Sequence, residues 1–267
     1  MAAPSPVRNS HLQTRGHRLF RVAIVLSFAV NLAGLVAVAM VIHGRGGIAY
    51  LKAITRHDPS YNPDEGYALR VGLFDLSRHK TTARPIVFLG DSMTYLGGDW
   101  HELFGGDVPI LNRGIGGDTS VGVLRRLGQI TALRPVAVFL MIGTNDHQLI
   151  GNSPADTAQV VHEIVSDIRR ESPETLIYIQ ALLPTVSPGF VQWSERTNSL
   201  MAQLADNHSV FYIDFRNAFF ENGVLARRLT VDGVHLSAAG YRLWRDSIEP
   251  IVNELSQKKA SQRISGK

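Results

Sequence analysis

The stretch FLGDSMTYLG, Phe88–Gly97, poses the question that decides the fold. The short apolar run Ile86–Leu89 ends abruptly on Gly90-Asp91-Ser92. A buried strand that stops on a glycine, a carboxylate and a hydroxyl has two readings. It is a plain strand-to-helix turn in which a polar side chain caps the helix, or it holds a serine at the end of a strand, ready to attack. What stands at the ends of the other strands chooses between them.

Outward from this stretch the pattern is regular. Further short runs rich in Val and Ile occur at Val108–Leu111, Val136–Ile142, Leu176–Leu182 and Val210–Ile213. They are near-continuous rather than alternating, as strands buried on both faces are. Helical segments are expected between them, at Val121–Ile130, Ser153–Arg170, Phe190–Ala205 and Ala239–Glu254. Ser153, Pro154 and Asp156 form a capping-box-like start, and Val161, Ile164, Val165 and Ile168 fall on one face of the helix that follows. Strand and helix alternating in this way predict an α/β domain: a five-stranded parallel sheet with helices on both faces. Sites in such sheets form at the carboxyl ends of the strands.

The residues after the strands are chemically specific. After the first come Gly90-Asp91-Ser92; after the second, Asn112–Thr119 (NRGIGGDT); after the third, Gly143-Thr144-Asn145-Asp146; after the last, Asp232-Gly233-Val234-His235. Together they supply a hydroxyl, a glycine-rich backbone, a side-chain amide and an Asp/His pair. Acyl transfer needs that set. A serine is a weak nucleophile until a base takes its proton; an imidazole does so near neutral pH; a carboxylate orients the imidazole. The oxyanion needs donors aimed at it, and the Ser92 N–H, the Gly117 N–H and the Asn145 amide are the candidates.

These four blocks, in this order across Ile86–Glu254, resemble those of the SGNH/GDSL hydrolase superfamily. GIGGDT is similar in wording to its platelet-activating-factor acetylhydrolase-like branch. The resemblance implies a flavodoxin-like three-layer α/β/α sandwich with no metal or cofactor. It also implies a catalytic triad of Ser92, Asp232 and His235, and an oxyanion hole of Ser92, Gly117 and Asn145. The expected activity is serine-dependent hydrolysis of a carboxylic ester of a small molecule, a lipid or an acylated glycan. The alternatives are an acyltransferase that passes the acyl group to an envelope glycan, and an envelope binding module on a retired hydrolase fold; no triad residue is lost to favour the latter.

Plainer readings stand beside each residue. Ser92 could cap a helix, Gly116-Gly117 could permit a tight turn, Asn145 could form a turn after a strand, and Ser237 is expected to cap the last helix. Asp91, Asp118 and Asp146 with His235 suggest a metal-dependent phosphodiesterase, but apart from His147 no second histidine has ligand-like spacing. Met93, Tyr95, Leu96 and Trp100 are either an acyl pocket or helix core.

Composition narrows the field. There is no cysteine, so disulfides, thiolate metal sites and cysteine nucleophiles are excluded. The net charge of +4 hides a division. Arg84–Glu254 holds 13 Arg, no Lys and 19 acidic residues, and the basic excess lies in the flanks. A nucleic-acid-binding domain concentrates positive charge on its folded part, so no nucleic-acid partner is expected.

Val22–Ile42 carries no charge, follows Arg8, Arg15, Arg18 and Arg21, and precedes the first acidic residue, Asp58. About twenty apolar residues suffice to span a bilayer, so a transmembrane signal anchor is expected here in preference to a signal peptide cleaved near Ala37-Val38-Ala39. The basic N-terminus directs the large domain to the extracytoplasmic side. The expected organisation is a basic tail over 1–21, the anchor over 22–42, a connector with short helices over 43–83, the hydrolase domain over 84–256 and a basic tail over 257–267. Within the connector, Ile48–Ile54 and Tyr67–Leu76 are expected as short helices around the turn-rich His57–Pro63.

Overall fold

The computed structural model describes residues 10–44, 62, 66–78 and 83–265. The chain divides into two units, Met1–Lys52 and Ala53–Lys267. In the first, helix α1 spans Ser10–Gly44, and the apolar side chains along it, such as Phe28 and Leu35, are exposed. Side chains on α1 are described for residues 24–40 and 43, so the ends of the expected Val22–Ile42 span lie outside them. Among the described residues no helix is long and apolar enough to cross a membrane. The expected helix at Ile48–Ile54 lies outside the described residues, as does nearly all of His57–Pro63.

The second unit opens with α2, Tyr67–Arg78. The strands of the main sheet are β1 (Ile86–Gly90), β2 (Ile110–Gly114), β3 (Ala137–Met141), β4 (Leu176–Gln180) and β5 (Val210–Ile213). They form one sheet in the order β2-β1-β3-β4-β5, with every pairing parallel. That order is the flavodoxin-like doubly wound one. The order in which strands are added reverses between β1 and β3, and sheets of this kind open a crevice there, outside the carboxyl ends. The helices between and after the strands are α3 (Ser92–Tyr95), α4 (Trp100–Phe104), α5 (Ser120–Arg125), α6 (Gly128–Thr131), α7 (Pro154–Glu171), α8 (Pro188–Ala202) and α9 (Ala238–Ser265).

Strands β1 and β3 are buried along their whole length, as their unbroken apolar runs require. One row crosses the sheet at a single level. Phe88 pairs with Phe139, Phe139 with Tyr178, and Tyr178 with Phe211. Their rings stack at centroid distances of 4.9, 4.8 and 5.0 Å. Trp100 stacks on Phe88 at 4.3 Å and meets Trp244 of α9 edge-on at 5.0 Å. Trp100 is therefore core.

Four elements depart from expectation. The second strand starts at Ile110 rather than Val108 and runs on to Gly114; Pro109 has no N–H for a ladder, and Asn112 and Arg113 are tolerated because β2 is an edge. The fourth strand ends at Gln180 rather than Leu182, because the Asn198 amide takes both the Leu182 N–H (2.8 Å) and the Leu182 carbonyl (3.0 Å). The helix expected over Val121–Ile130 is broken in two where Arg126 turns inward. At the other end, α9 continues through Pro250 to Ser265, into the stretch expected as a tail.

Candidate active site

The site begins where β1 ends. A Cβ on Gly90 would collide with the Met141 carbonyl and the Thr94 hydroxyl, so only glycine lets β1 pass this close to β3 and α3. Asp91 then caps α3, its Oδ1 accepting from the Met93 N–H at 2.9 Å. Ser92 is the first helical residue, so its N–H has no intrahelical acceptor. Asn112 of β2 fastens the far end of α3, donating to the Thr94, Tyr95 and Gly98 carbonyls at 2.8–3.1 Å.

Across the sheet edge, the loop before α9 carries the Asp/His pair. Asp232 Oδ1 accepts from the Val234 N–H (2.9 Å) and the His235 N–H (2.7 Å), which leaves Oδ2 to meet His235 Nδ1 at 2.6 Å. His235 Nε2 lies 2.9 Å from Ser92 Oγ. The residues 232, 235 and 92 thus form one unbroken hydrogen-bonded chain. Burial works to raise the Asp232 carboxyl, but the bonds from the His235 ring and the two backbone N–H groups outweigh it and lower the carboxyl to about 2. Ser237 caps the helix that follows, accepting from the Gly240 N–H at 3.3 Å.

The donor side comes from the loops after β2 and β3. Gly117 has φ +68°, a left-handed backbone that favours glycine. Asn145 donates from Nδ2 to the Asp118 carbonyl at 2.9 Å. An amide nitrogen carries two hydrogens, so a second remains for the cleft. Ser92, Met93, Gly116, Gly117, Asn145 and His235 line a single cleft of about 470 Å³ together with Asp232, Thr144 and the turn after Asn145. All five residues singled out from the sequence meet there. A hydroxyl bonded to an imidazole that is itself bonded to a carboxylate, in a cleft also lined by Gly117 and Asn145, can perform nucleophilic acyl transfer.

The three carboxylates beside these residues support the loops. Asp91 is the cap; burial pushes it up to about 7, against the bond from the Met93 N–H. Asp118 pairs with Arg126 at 2.8 Å, both side chains almost fully buried. Asp146 accepts from the Ser120 N–H at 2.9 Å and from the Ser120 hydroxyl; burial raises it to about 6, against those two bonds. Arg126 also donates to the Gly90 carbonyl (3.2 Å) and the Arg113 carbonyl (2.8 Å), tying β1, β2 and Asp118 together. Arg126 and Ser120 had not stood out in the sequence; an arginine within the apolar VGVLRRL was the available signal. Of the suggested acyl-pocket residues only Met93 lines the cleft, for Leu96 is half exposed and Tyr95 lies under Arg70. His147 stacks on Trp193 at 4.8 Å.

The model of the GDSL-like lipase/acylhydrolase family matches residues 88–243. The chain is 32% identical over 165 residues to the platelet-activating factor acetylhydrolase IB subunit alpha1 of Bos taurus, covering 58% of this chain and 69% of that one. It is likewise 32% identical over 165 residues to the alpha2 subunit of Homo sapiens, covering 58% and 70%. Among solved structures it is similar to a GDSL-like lipase from Bacteroides thetaiotaomicron, with a TM-score of 0.57 and 20% identity, covering 69% of this chain and 97% of that one. That last likeness speaks for the fold. The chain belongs to the GDSL-like lipase/acylhydrolase family of the SGNH/GDSL hydrolases and is a carboxylic ester hydrolase.

Proposed function

We propose that Ser92 is the nucleophile of this hydrolase, with His235 as general base and acid and Asp232 as its orienting carboxylate. Ser92 Oγ attacks the acyl carbonyl carbon while its proton passes to His235 Nε2. The charge that develops on the carbonyl oxygen is met by the Ser92 N–H, the Gly117 N–H and the second Asn145 Nδ2 hydrogen. The intermediate collapses, His235 protonates the departing alcohol, and a water activated by the same imidazole releases the acid. Asp232 stays ionised throughout and stabilises the imidazolium. The observation that carries this reading is the relay from Asp232 Oδ2 through His235 to Ser92 Oγ, at 2.6 and 2.9 Å. The test is hydrolysis of p-nitrophenyl esters of rising chain length by the full chain in detergent. Ser92→Ala is expected to remove nearly all turnover, and near-wild-type rates in that variant would refute the mechanism.

The substrate class proposed is an ester presented at or near a membrane, with the uncharged stretch Val22–Ile42 of the sequence as the anchor and the hydrolase domain on the extracytoplasmic side. Supporting this are the uncharged stretch Val22–Ile42, the four arginines before it, and the exposed apolar side chains on the described part of α1. Exposed side chains such as Phe28, Val30 and Met40 call for an apolar surrounding. Release of the full chain from membranes by alkaline carbonate, without detergent, would contradict the anchor.

A further inference from the structure

The region matched by the family begins at residue 88, yet a side chain from before it reaches the active-site loop. Asn62 Nδ2 donates to the Gly116 carbonyl oxygen at 3.0 Å. The stretch that follows is fastened to the same neighbourhood. Tyr67 donates its hydroxyl to the Gly122 carbonyl (3.4 Å), and Gln129 donates to the Val71 carbonyl (3.2 Å). Arg113 donates to the Ser77 hydroxyl (3.0 Å), and Phe74 is buried beneath Arg113.

The Gly116 carbonyl is a consequential place to hold. It belongs to the same planar peptide as the Gly117 N–H, and in a trans peptide the C=O and the N–H point in opposite directions. Fixing the oxygen therefore fixes the hydrogen. The peptide is also the central one of a β-turn. The Asp118 N–H donates to the Ile115 carbonyl at 3.3 Å, and Gly117, the third residue, has φ +68°. A positive φ at that position is the mark of a type II turn; a type I turn differs by having the central peptide turned over. With glycine at both central positions neither form is blocked by a side chain. Left to itself, the turn could direct its central N–H either way.

We propose that Asn62 is a positioning residue for ester hydrolysis. It binds the Gly116 carbonyl and so holds the Gly116–Gly117 peptide in the orientation that aims the Gly117 N–H into the cleft. A donor on the carbonyl also polarises the peptide and strengthens its N–H. This rests on the reading of Gly117 as an oxyanion donor. Asn62 touches neither substrate nor reacting atom, so its effect belongs in the chemical step and not in substrate binding.

The test compares Asn62→Ala and Asn62→Asp with wild type, using the full chain, p-nitrophenyl acetate and a fluorophosphonate. Asn62→Asp keeps the size but sets an acceptor against the carbonyl. Loss of one hydrogen bond of ordinary worth corresponds to a factor of about 2 to 13 in kcat. Asn62→Ala is expected to lose that much, with KM within about two-fold and the melting temperature little changed. Asn62→Asp is expected to be at least as slow, and both variants should react more slowly with the fluorophosphonate, whose P=O group occupies the same hole. A kcat within two-fold of wild type in both variants would overturn the proposal, and so would a defect confined to KM or explained by unfolded protein. Ser92→Ala and Asn145→Ala run alongside. If they lose activity while the Asn62 variants do not, the positioning role falls and the triad stands. If Ser92→Ala retains turnover, the triad falls and the positioning role falls with it.

Discussion

Asp232 does more than face His235. One of its oxygens is held by two backbone N–H groups and the other by the imidazole, so the carboxylate is fixed in place before any substrate arrives. Replacing it by asparagine keeps the size but substitutes an amide for the acceptor of the His235 Nδ1 proton, and we expect kcat to fall by about 10⁴. On the proposed mechanism Asn145→Ala removes one of the three proposed oxyanion donors and should cost about 10² to 10³ in kcat with little change in KM. Steady-state kinetics on one ester checks both.

The neighbouring Asp91 makes a different prediction. Its carboxyl is raised from 3.8 to about 7 in the fold, so the native state holds its proton more tightly than the unfolded chain does. The stability this gives is fully present below pH 3.8 and is lost as pH rises through about 7. Asp91→Asn preserves a carbonyl acceptor for the Met93 N–H and removes the titration. Urea midpoints measured from pH 4 to 8 should therefore fall less steeply with pH in the variant than in wild type; parallel profiles would contradict this.

At the scale of elements, the site depends on one buried cation. Arg126 binds Asp118 and the carbonyls at the ends of β1 and β2. Arg126→Met leaves Asp118 buried without its partner, which costs about 3–5 kcal/mol, measurable as a shift in the urea midpoint. The aromatic row across β1, β3, β4 and β5 is the other structural commitment. Phe139 stands in its middle, stacked on both sides, and Phe139→Ala should cost about 3–5 kcal/mol. The strands themselves were legible because uninterrupted Val and Ile runs have few other uses. Their ends were less so, since they depend on partners distant in sequence: Asn198 stops β4, and Arg126 breaks the helix after β2 by reaching for Asp118. A small hairpin, Phe220–Glu221 with Val224–Leu225, was not anticipated at all. Its signal was the Asn222-Gly223 pair, both at positive φ, which suits a tight two-residue turn.

At the scale of the whole molecule, the sequence order hides a simple spatial one. Blocks spread from Gly90 to His235 meet because a parallel doubly wound sheet delivers its loops to one edge, at the reversal between β1 and β3. Glycines, a serine and an asparagine after the first three strands, with an Asp/His pair before the last helix, were enough to read the candidate site. The contribution of the connector was not readable, because Asn62 acts through a backbone carbonyl and has no motif around it. The chain's own division of charge is acidic over Arg84–Glu254 and basic outside it. On the proposed anchoring, the full chain should stay with the membrane pellet in alkaline carbonate and enter solution only with detergent.

The central claim is that Ser92 is a nucleophile activated by His235. The most direct measurement is to treat the full chain with a fluorophosphonate, count adducts by intact mass and locate them by peptide mapping, with Ser92→Ala and His235→Ala alongside. We predict one adduct per chain, on Ser92, absent from Ser92→Ala and formed far more slowly in His235→Ala. Labelling of Ser92→Ala to the same extent, or an adduct on another residue, would contradict the account.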